Sequence, residues 1–261
     1  MILDRFRVTD QVAIVTGAGR GIGAGSALAL AEAGAHVVCA ARTVEQINEV
    51  AEKIRALGRK ALAIPCDVND RAQLENIVTR TIGEFGQIDI VVNNAGGTPP
   101  QEALFTSEQM LEEAFHFNVT TAFLLSRLAA RHMIERGAGA VVNISSSVSR
   151  FPLPGFVAYC TAKAALSHMT RVLAHEWAPK IRLNALAVGS VETSALALFI
   201  DDDLRTKMSA LTPMRRLGTV EDVAAAVLYL ASPAASWVTG KVFEIDGGSE
   251  QSNWPFPPPQ I

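Results

Sequence analysis

Short apolar runs, several rich in β-branched residues, alternate along this chain with longer stretches of helical character. The runs fall at 12–16, 36–41, 61–66, 88–93, 140–145, 181–187 and 241–245, and unbroken apolarity of this kind suits strands buried on both faces. The stretches between them predict helices over about 22–33, 43–57, 70–84, 106–135, 157–178 and 220–231. Regular alternation implies a parallel sheet covered on both faces. Right-handed crossovers make it doubly wound, with ligands at the carboxyl ends of the strands. The expected fold class is therefore α/β, a doubly wound parallel seven-stranded sheet. No Pro/Gly/Ser-rich linker or internal repeat divides the 261 residues, so one domain over 1–261 is expected. Two regions break the rhythm. Residues 188–216 form a long connection with a short helical piece near 196–209, and its length suggests a lid. The tail over 250–261 carries Trp254, Phe256 and Pro257-Pro258-Pro259, an extended segment that either docks, for instance on a neighbouring subunit, or frays.

Composition removes several function classes. With 49% hydrophobic and 19% charged residues the chain reads as a folded globule. A net charge of −3 offers no basic footprint for nucleic acid. No apolar run approaches the roughly 18 residues of a membrane span. The opening Met1-Ile2-Leu3-Asp4-Arg5 has no basic-then-apolar leader pattern, so a cytoplasmic location is expected. Cys39, Cys66 and Cys160 lack C-x-x-C spacing and read as reduced thiols. His36, His116, His132, His168 and His175 form no cluster at zinc-like spacing, so no metal is expected.

Candidate chemistry sits at two places. Val12-Ala13-Ile14-Val15-Thr16 runs into Gly17-Ala18-Gly19-Arg20-Gly21-Ile22-Gly23, followed by an Ala/Leu-rich stretch that Gly34 would end. Strand, glycine turn and helix is the context in which backbone can approach a pyrophosphate at a helix N-terminus. Tyr159 and Lys163 lie four residues apart, on one face if helical. An ammonium beside a phenol favours the phenolate, lowering Tyr159 from about 10 toward useful proton exchange. The same spacing is common on solvated helix faces.

In order and spacing these motifs resemble the short-chain dehydrogenase/reductase family. Thr16 to Gly23 matches T-G-x-x-x-G-I-G, and Asn93-Asn94-Ala95-Gly96 matches N-N-A-G after an apolar strand. Ser146 precedes Tyr159 by the family's usual separation, Asn118 falls at its fourth catalytic position, and Asp246-Gly247-Gly248 resembles its closing D-G-G. The match runs from about 10 to 249. The resemblance implies a Rossmann fold and hydride transfer with a nicotinamide cofactor. Tyr159 would exchange the substrate proton, Lys163 would tune Tyr159 and bind the ribose, Ser146 would hold the substrate oxygen, and Asn118 would hold a relay water. Ser145 and Ser147 are neighbouring alternatives to Ser146, and Asn118 could instead bond backbone inside a bent helix.

For the cofactor the resemblance implicates Gly17, Arg20, Gly21, Ile22 and Gly23. It adds Ala41 and Arg42, Asp67 and Val68, Asn94, Ala95 and Gly96, then Ile144, Gly189, Val191 and Thr193, with Tyr159 and Lys163. The position that carries an acidic residue in NAD-selective relatives is Ala41 here, and Arg42 and Arg20 could clamp a 2′-phosphate, so NADP(H) is preferred with NAD(H) possible. Arg42 could also stack on adenine, and Asp67 could be a helix cap. Val188 stands where the family has proline, which frees φ and a donor and predicts a looser backbone there.

Pocket walls are expected from Thr98, Pro99, Phe151, Leu153, Phe156, Leu196, Leu198 and Phe199, an apolar set that suits a steroid-like or similar small-molecule ketone or secondary alcohol. A beta-ketoacyl thioester reductase is the alternative, with Arg127, Arg131 and Arg136 as a carrier-protein patch. A cofactor-binding sensor without turnover is a third reading. Leu124, Leu125, Leu128, Met133, Leu166 and Met169 exceed what one sheet face needs and suggest a homo-oligomer, a dimer or the tetramer usual in the family.

Overall fold

The computed structural model describes residues 1–194, 196–198 and 200–255. Seven parallel strands form its sheet: β1 (Val12–Thr16), β2 (His36–Ala41), β3 (Ala61–Pro65), β4 (Ile90–Asn93), β5 (Gly139–Ser146), β6 (Ile181–Val188) and β7 (Val242–Ile245). They lie in the order β3-β2-β1-β4-β5-β6-β7. The order reverses between β1 and β4, so the loops leaving these two neighbours diverge and open a crevice at their carboxyl ends.

Alternation along each strand divides the core. Ala13, Val15, Val37, Cys39, Val92 and Val142 face one layer, which packs on α1 (Gly21–Glu32), α2 (Val44–Ala56) and α8 (Val220–Ala231). Ile14, Val38, Val91, Val141 and Leu183 face the other, which packs on α3 (Arg71–Phe85), α5 (Thr121–Arg136) and α6 (Val157–Trp177). The expected α/β doubly wound seven-stranded sheet is the fold observed.

The helix expected over 106–135 is divided. Glu108–Phe115 forms α4, His116–Thr120 is a single π-helical turn, and α5 follows. The cause is local. Asn118 donates from Nδ2 to the Ala114 carbonyl at 2.9 Å and Thr121 donates to the Phe117 carbonyl at 2.8 Å, so side chains compete with the backbone ladder. The connection after β6 holds a 3₁₀ turn at Leu196–Leu198 and α7 (Asp202–Leu211), whose N-cap Asp201 accepts from Leu204 N–H at 2.8 Å. Val188 does not loosen the chain. It is buried, closes β6 in register with Ser146 and Ile245, and packs in the core.

The expected apolar surplus is divided, with Leu124, Leu128 and Met169 half-buried. Leu125, Met133 and Leu166 are fully buried within this chain, because α5 and α6 turn those positions onto the sheet and onto the π-turn. The exposed large apolar side chains of these helices are Leu111 and Phe115 on α4, Ile134 on α5, and Val157 and Val172 on α6. Leu125→Ala is expected to cost about 2–5 kcal/mol, read as a lowered denaturant midpoint at unchanged slope. Leu111→Ala, on the exposed side of α4, should change the monomer's stability far less.

Candidate active site

The crevice at the β1/β4 switch is closed at its base by two side chains. Thr16 Oγ1 accepts from the Asn94 N–H at 3.0 Å and the Ala95 N–H at 3.1 Å, and Asn94 Nδ2 donates back to the Thr16 carbonyl at 2.9 Å. Gly17 leaves β1 with φ of 65°, and a Cβ there would lie 2.6 Å from Asn94 Nδ2. A Cβ on Gly23 would overlap the Gly17 carbonyl. Only glycine lets α1 pack this close to β1. Arg20 is the N-cap of α1 and supplies no side-chain acceptor, so the first-turn N–H groups remain available to an anion.

A cleft of about 520 Å³ extends from this turn along the strand ends. One of its walls contains Ala41, Arg42, Asp67 and Val68, and its deep end contains Asn94, Ala95, Gly96, Ile144, Ser146, Tyr159, Lys163, Gly189 and Thr193. Gly17, Arg20, Gly21 and Ile22 line its centre. Arg20 and Arg42 are exposed, and their side chains make no hydrogen bond or ion pair among the described residues. Asp70, which accepts from the Ala72 N–H at 2.8 Å, is the cap of α3, leaving Asp67 on the cleft wall.

Three expected members stand off the surface. Gly23 acts through packing, Val191 is buried in the core with its neighbours bridged to Gly218, and Asn118 lies one layer behind the cleft. Thr43, Gln46, Cys66, Phe117 and Ser194 line the cleft without having been singled out as site residues. Thr43 and Gln46 were within reach of sequence reasoning, since they open the helix after Arg42. The others have no motif.

At the deep end, Ser145 is structural. Its hydroxyl donates to the Lys163 carbonyl at 3.1 Å and meets Ser167 Oγ at 2.7 Å. Ser146 is the serine beside the Tyr159 phenol and eases its ionisation. Lys163 is buried, and its ammonium donates to the Ile144 carbonyl at 2.8 Å and sits 5.7 Å from the Tyr159 ring centroid. Asn118 Oδ1 accepts from the Gly97 N–H at 2.9 Å. A Cβ on Gly96 would lie 2.8 Å from Asn118 Oδ1 and 3.0 Å from Lys163 Nζ, so this glycine keeps the two groups on either side of one backbone atom.

The phenol is not depressed as the spacing predicts. Burial raises Tyr159 above its ordinary value, with the Ser146 hydrogen bond opposing, and burial pulls Lys163 down to about 8. Lost hydration outweighs a cation that is aimed at the Ile144 carbonyl.

Expected pocket walls are divided too. Phe156 and Trp254 meet at 6.3 Å with their planes tilted by 49°, and Phe156 meets Tyr159 edge-on at 6.4 Å. Phe151 carries the Arg150 guanidinium 5.6 Å from its centroid. Thr98 accepts from Asn118 Nδ2 at 3.3 Å. Leu196 packs with Ile200, Met208 and Leu217. Phe199, the side chain of Leu198, Phe256 and Pro257-Pro258-Pro259 lie outside the described residues. Trp254 docks on its own chain. Of the arginines of α5, Arg131 is exposed, Arg127 lies over Phe123 at 5.9 Å and Arg136 pairs with Asp89 at 3.5 Å.

A family model described as enoyl-(acyl carrier protein) reductase matches residues 17–250. The chain belongs to the short-chain dehydrogenase/reductase family. It is 49% identical to an uncharacterised oxidoreductase of Mycobacterium tuberculosis over all of both chains. A solved 7α-hydroxysteroid dehydrogenase complexed with NADH and 7-oxo glycochenodeoxycholic acid superposes with a TM-score of 0.91 at 38% identity, covering 95% of this chain and 97% of that one. A gluconate 5-dehydrogenase from Burkholderia cenocepacia in complex with NADP and tartrate superposes at 0.88 with 34% identity, covering 95% and 98%. This member of the family is an NAD(P)-dependent oxidoreductase acting on alcohols. No helix among the described residues is long and apolar enough to cross a membrane.

The buried lysine makes a signed prediction for the cofactor-free protein. Its folded pKa of about 8 lies below the unfolded 10.5, so the unfolded state binds more protons between these values and stability rises with pH across that window. Lys163→Met should therefore raise Tm at pH 7 and lose most of that gain by pH 10.5, as thermal melts at both values would show.

Proposed function

We propose that this dehydrogenase/reductase transfers hydride between NADP(H) and the carbonyl or secondary alcohol of a mainly apolar, steroid-like small molecule. The observation that carries the cofactor choice is two unpaired guanidiniums lining the cleft, Arg42 next to Ala41 and Arg20 in the glycine turn. No carboxylate at position 41 competes for a ribose hydroxyl, and two free guanidiniums suit a phosphate. Nicotinamide supplies the hydride when the cofactor is bound. The first-turn amides of α1 take the pyrophosphate, Asp67 and Val68 border the adenine, and Gly189 and Thr193 border the nicotinamide end.

Tyr159 passes the proton to or from the substrate oxygen, and Ser146 holds that oxygen by its hydroxyl as charge develops. Lys163 supplies the positive charge that the buried phenolate needs and reaches the ribose. Asn118, bonded to Gly97 and adjoining Lys163 across Gly96, orders the path by which Lys163 regains its proton. The 188–216 connection acts as a lid within one domain. The exposed Leu111, Phe115 and Val172 support pairing of copies through α4 and α6 into a dimer or tetramer. The three free cysteines suit a reducing, cytoplasmic compartment.

Tyr159→Phe is expected to lower kcat by about 10²–10⁴ while the cofactor Kd, read by nicotinamide fluorescence, stays nearly constant. Appreciable residual turnover would remove the proton-transfer role. Arg42→Ala should weaken NADPH by about 10- to 100-fold and NADH much less, whereas equal losses would mean stacking on adenine.

A further inference from the structure

The turn that follows Ser146 is too short to hold itself. Ser146 ends β5 and caps a single 3₁₀ turn at Ser147–Ser149, with its Oγ accepting from the Val148 N–H at 3.4 Å. The Arg150 and Phe151 N–H groups close the turn on the same acceptor, the Ser147 carbonyl, at 3.0 Å and 3.3 Å. These bonds, one of them long and two sharing an oxygen, give the turn little stability of its own.

Arg150 supplies what the turn lacks. Its Nε lies 3.1 Å from Glu244 Oε1, and its Nη1 donates to Glu250. Its Nη2 donates to the Ser249 carbonyl at 2.6 Å and stands 3.5 Å from Asp246 Oδ2. No other side chain of 147–151 hydrogen-bonds another segment among the described residues. Asp246 is the partner that depends on this contact most. Its side chain is 6% exposed, its Oδ1 accepts from the Gly248 N–H at 2.9 Å, and its Oδ2 has no hydrogen bond among the described residues. It also backs onto the cleft, since a Cβ on Gly189 would lie 2.7 Å from the Asp246 Cα. Without the guanidinium, three carboxylates gathered around one point would lose their shared cation, and the turn would lose its polar hold on the end of β7.

We propose that Arg150 is a positioning residue that acts through Ser146: by clamping the turn to the end of β7 it keeps the Val148 N–H on the Ser146 oxygen and leaves the hydroxyl hydrogen for the substrate oxygen. This rests on the reading of Ser146 as the group that holds that oxygen. A hydroxyl has one hydrogen to give and two lone pairs to fill, so a fixed donor on one lone pair restricts where the hydrogen points. Alignment matters because charge develops on a single atom, and a donor aimed away from it does not stabilise that charge.

Two measurements on the full-length protein test this. Residue-resolved amide exchange without cofactor reads the clamp. In Arg150→Met the Val148 and Phe151 amides should exchange about tenfold faster while β5 and β6 keep wild-type rates, with Arg150→Lys in between. Wild-type exchange at Val148, or equal acceleration throughout the sheet, would overturn the clamp. Reduction of 2-decalone by NADPH reads the consequence. Arg150→Met should lower kcat about tenfold and move KM less than about twofold, and Arg150→Lys should recover part of the loss. In a Ser146→Ala background the same Arg150→Met change should cost less than about twofold, because a residue that works through Ser146 then has nothing left to position. Equal losses in both backgrounds, or no loss in either, would overturn the positioning role. Should wild type fail to reduce 2-decalone while protection at Val148 still depends on Arg150, the reading of the site as one for such ketones fails and the clamp stands.

Discussion

The clasp between Thr16 and Asn94 is the constraint on which the site depends. Where the strand order reverses, two hydrogen-bonded neighbours send their loops in opposite directions, and the sheet ladder supplies nothing beyond its last pair. The hydroxyl of Thr16 takes two backbone N–H groups from the second loop, and the Asn94 amide returns one bond to the first. The floor of the crevice is thereby fixed before any ligand arrives. Glycine at 17 and 23 is a consequence, because a Cβ at either position would meet Asn94 or the Gly17 carbonyl.

From that floor the strand ends carry the chemistry outward. β5 delivers Ser145 and Ser146 in register with β6, and the pleat sends them to different duties: Ser145 ties down α6 through the Lys163 carbonyl, while Ser146 meets the phenol. The π-turn between α4 and α5 presents Asn118 to Gly97, and Gly96 lets it approach Lys163. Burial is the dominant force on the pair. It resists charge on both Tyr159 and Lys163, raising the phenol above its ordinary value and pulling the ammonium down to about 8, so burial favours the neutral form of each group.

The C-terminal part of the chain joins segments distant in sequence. Ser190, Thr212 and Asn253 join three segments through two hydrogen bonds, and Trp254 then bridges the α7 cluster and Phe156. Arg150 performs a similar service on the opposite flank, where its guanidinium meets Glu244 at 3.1 Å and the Ser249 carbonyl at 2.6 Å, pinning the segment after Ser146 to the end of β7. The segment between Arg150 and Phe156 is thus contacted at both ends by the C-terminal part of the chain.

Local sequence determined the strands, most helices and the cofactor turn, since apolar runs, glycine placement and i, i+4 spacing act over a few residues. Boundaries moved by a residue or two, and the one helix read as continuous was divided because Asn118 and Thr121 spend side-chain hydrogen bonds on the backbone, a competition that periodicity does not register. The motif residues Ser146, Tyr159 and Lys163 were legible because their spacing survives folding unchanged. Tertiary structure alone decided which apolar residues were surplus, since Leu125 and Leu166 look no different in sequence from Leu111 until the sheet and π-turn cover them. It also decided the sign of the shift at Tyr159, the core position of Val191 and the docking of Trp254. Each of these depends on how much water a side chain loses to segments far away in the chain, and desolvation is a property of the assembled fold.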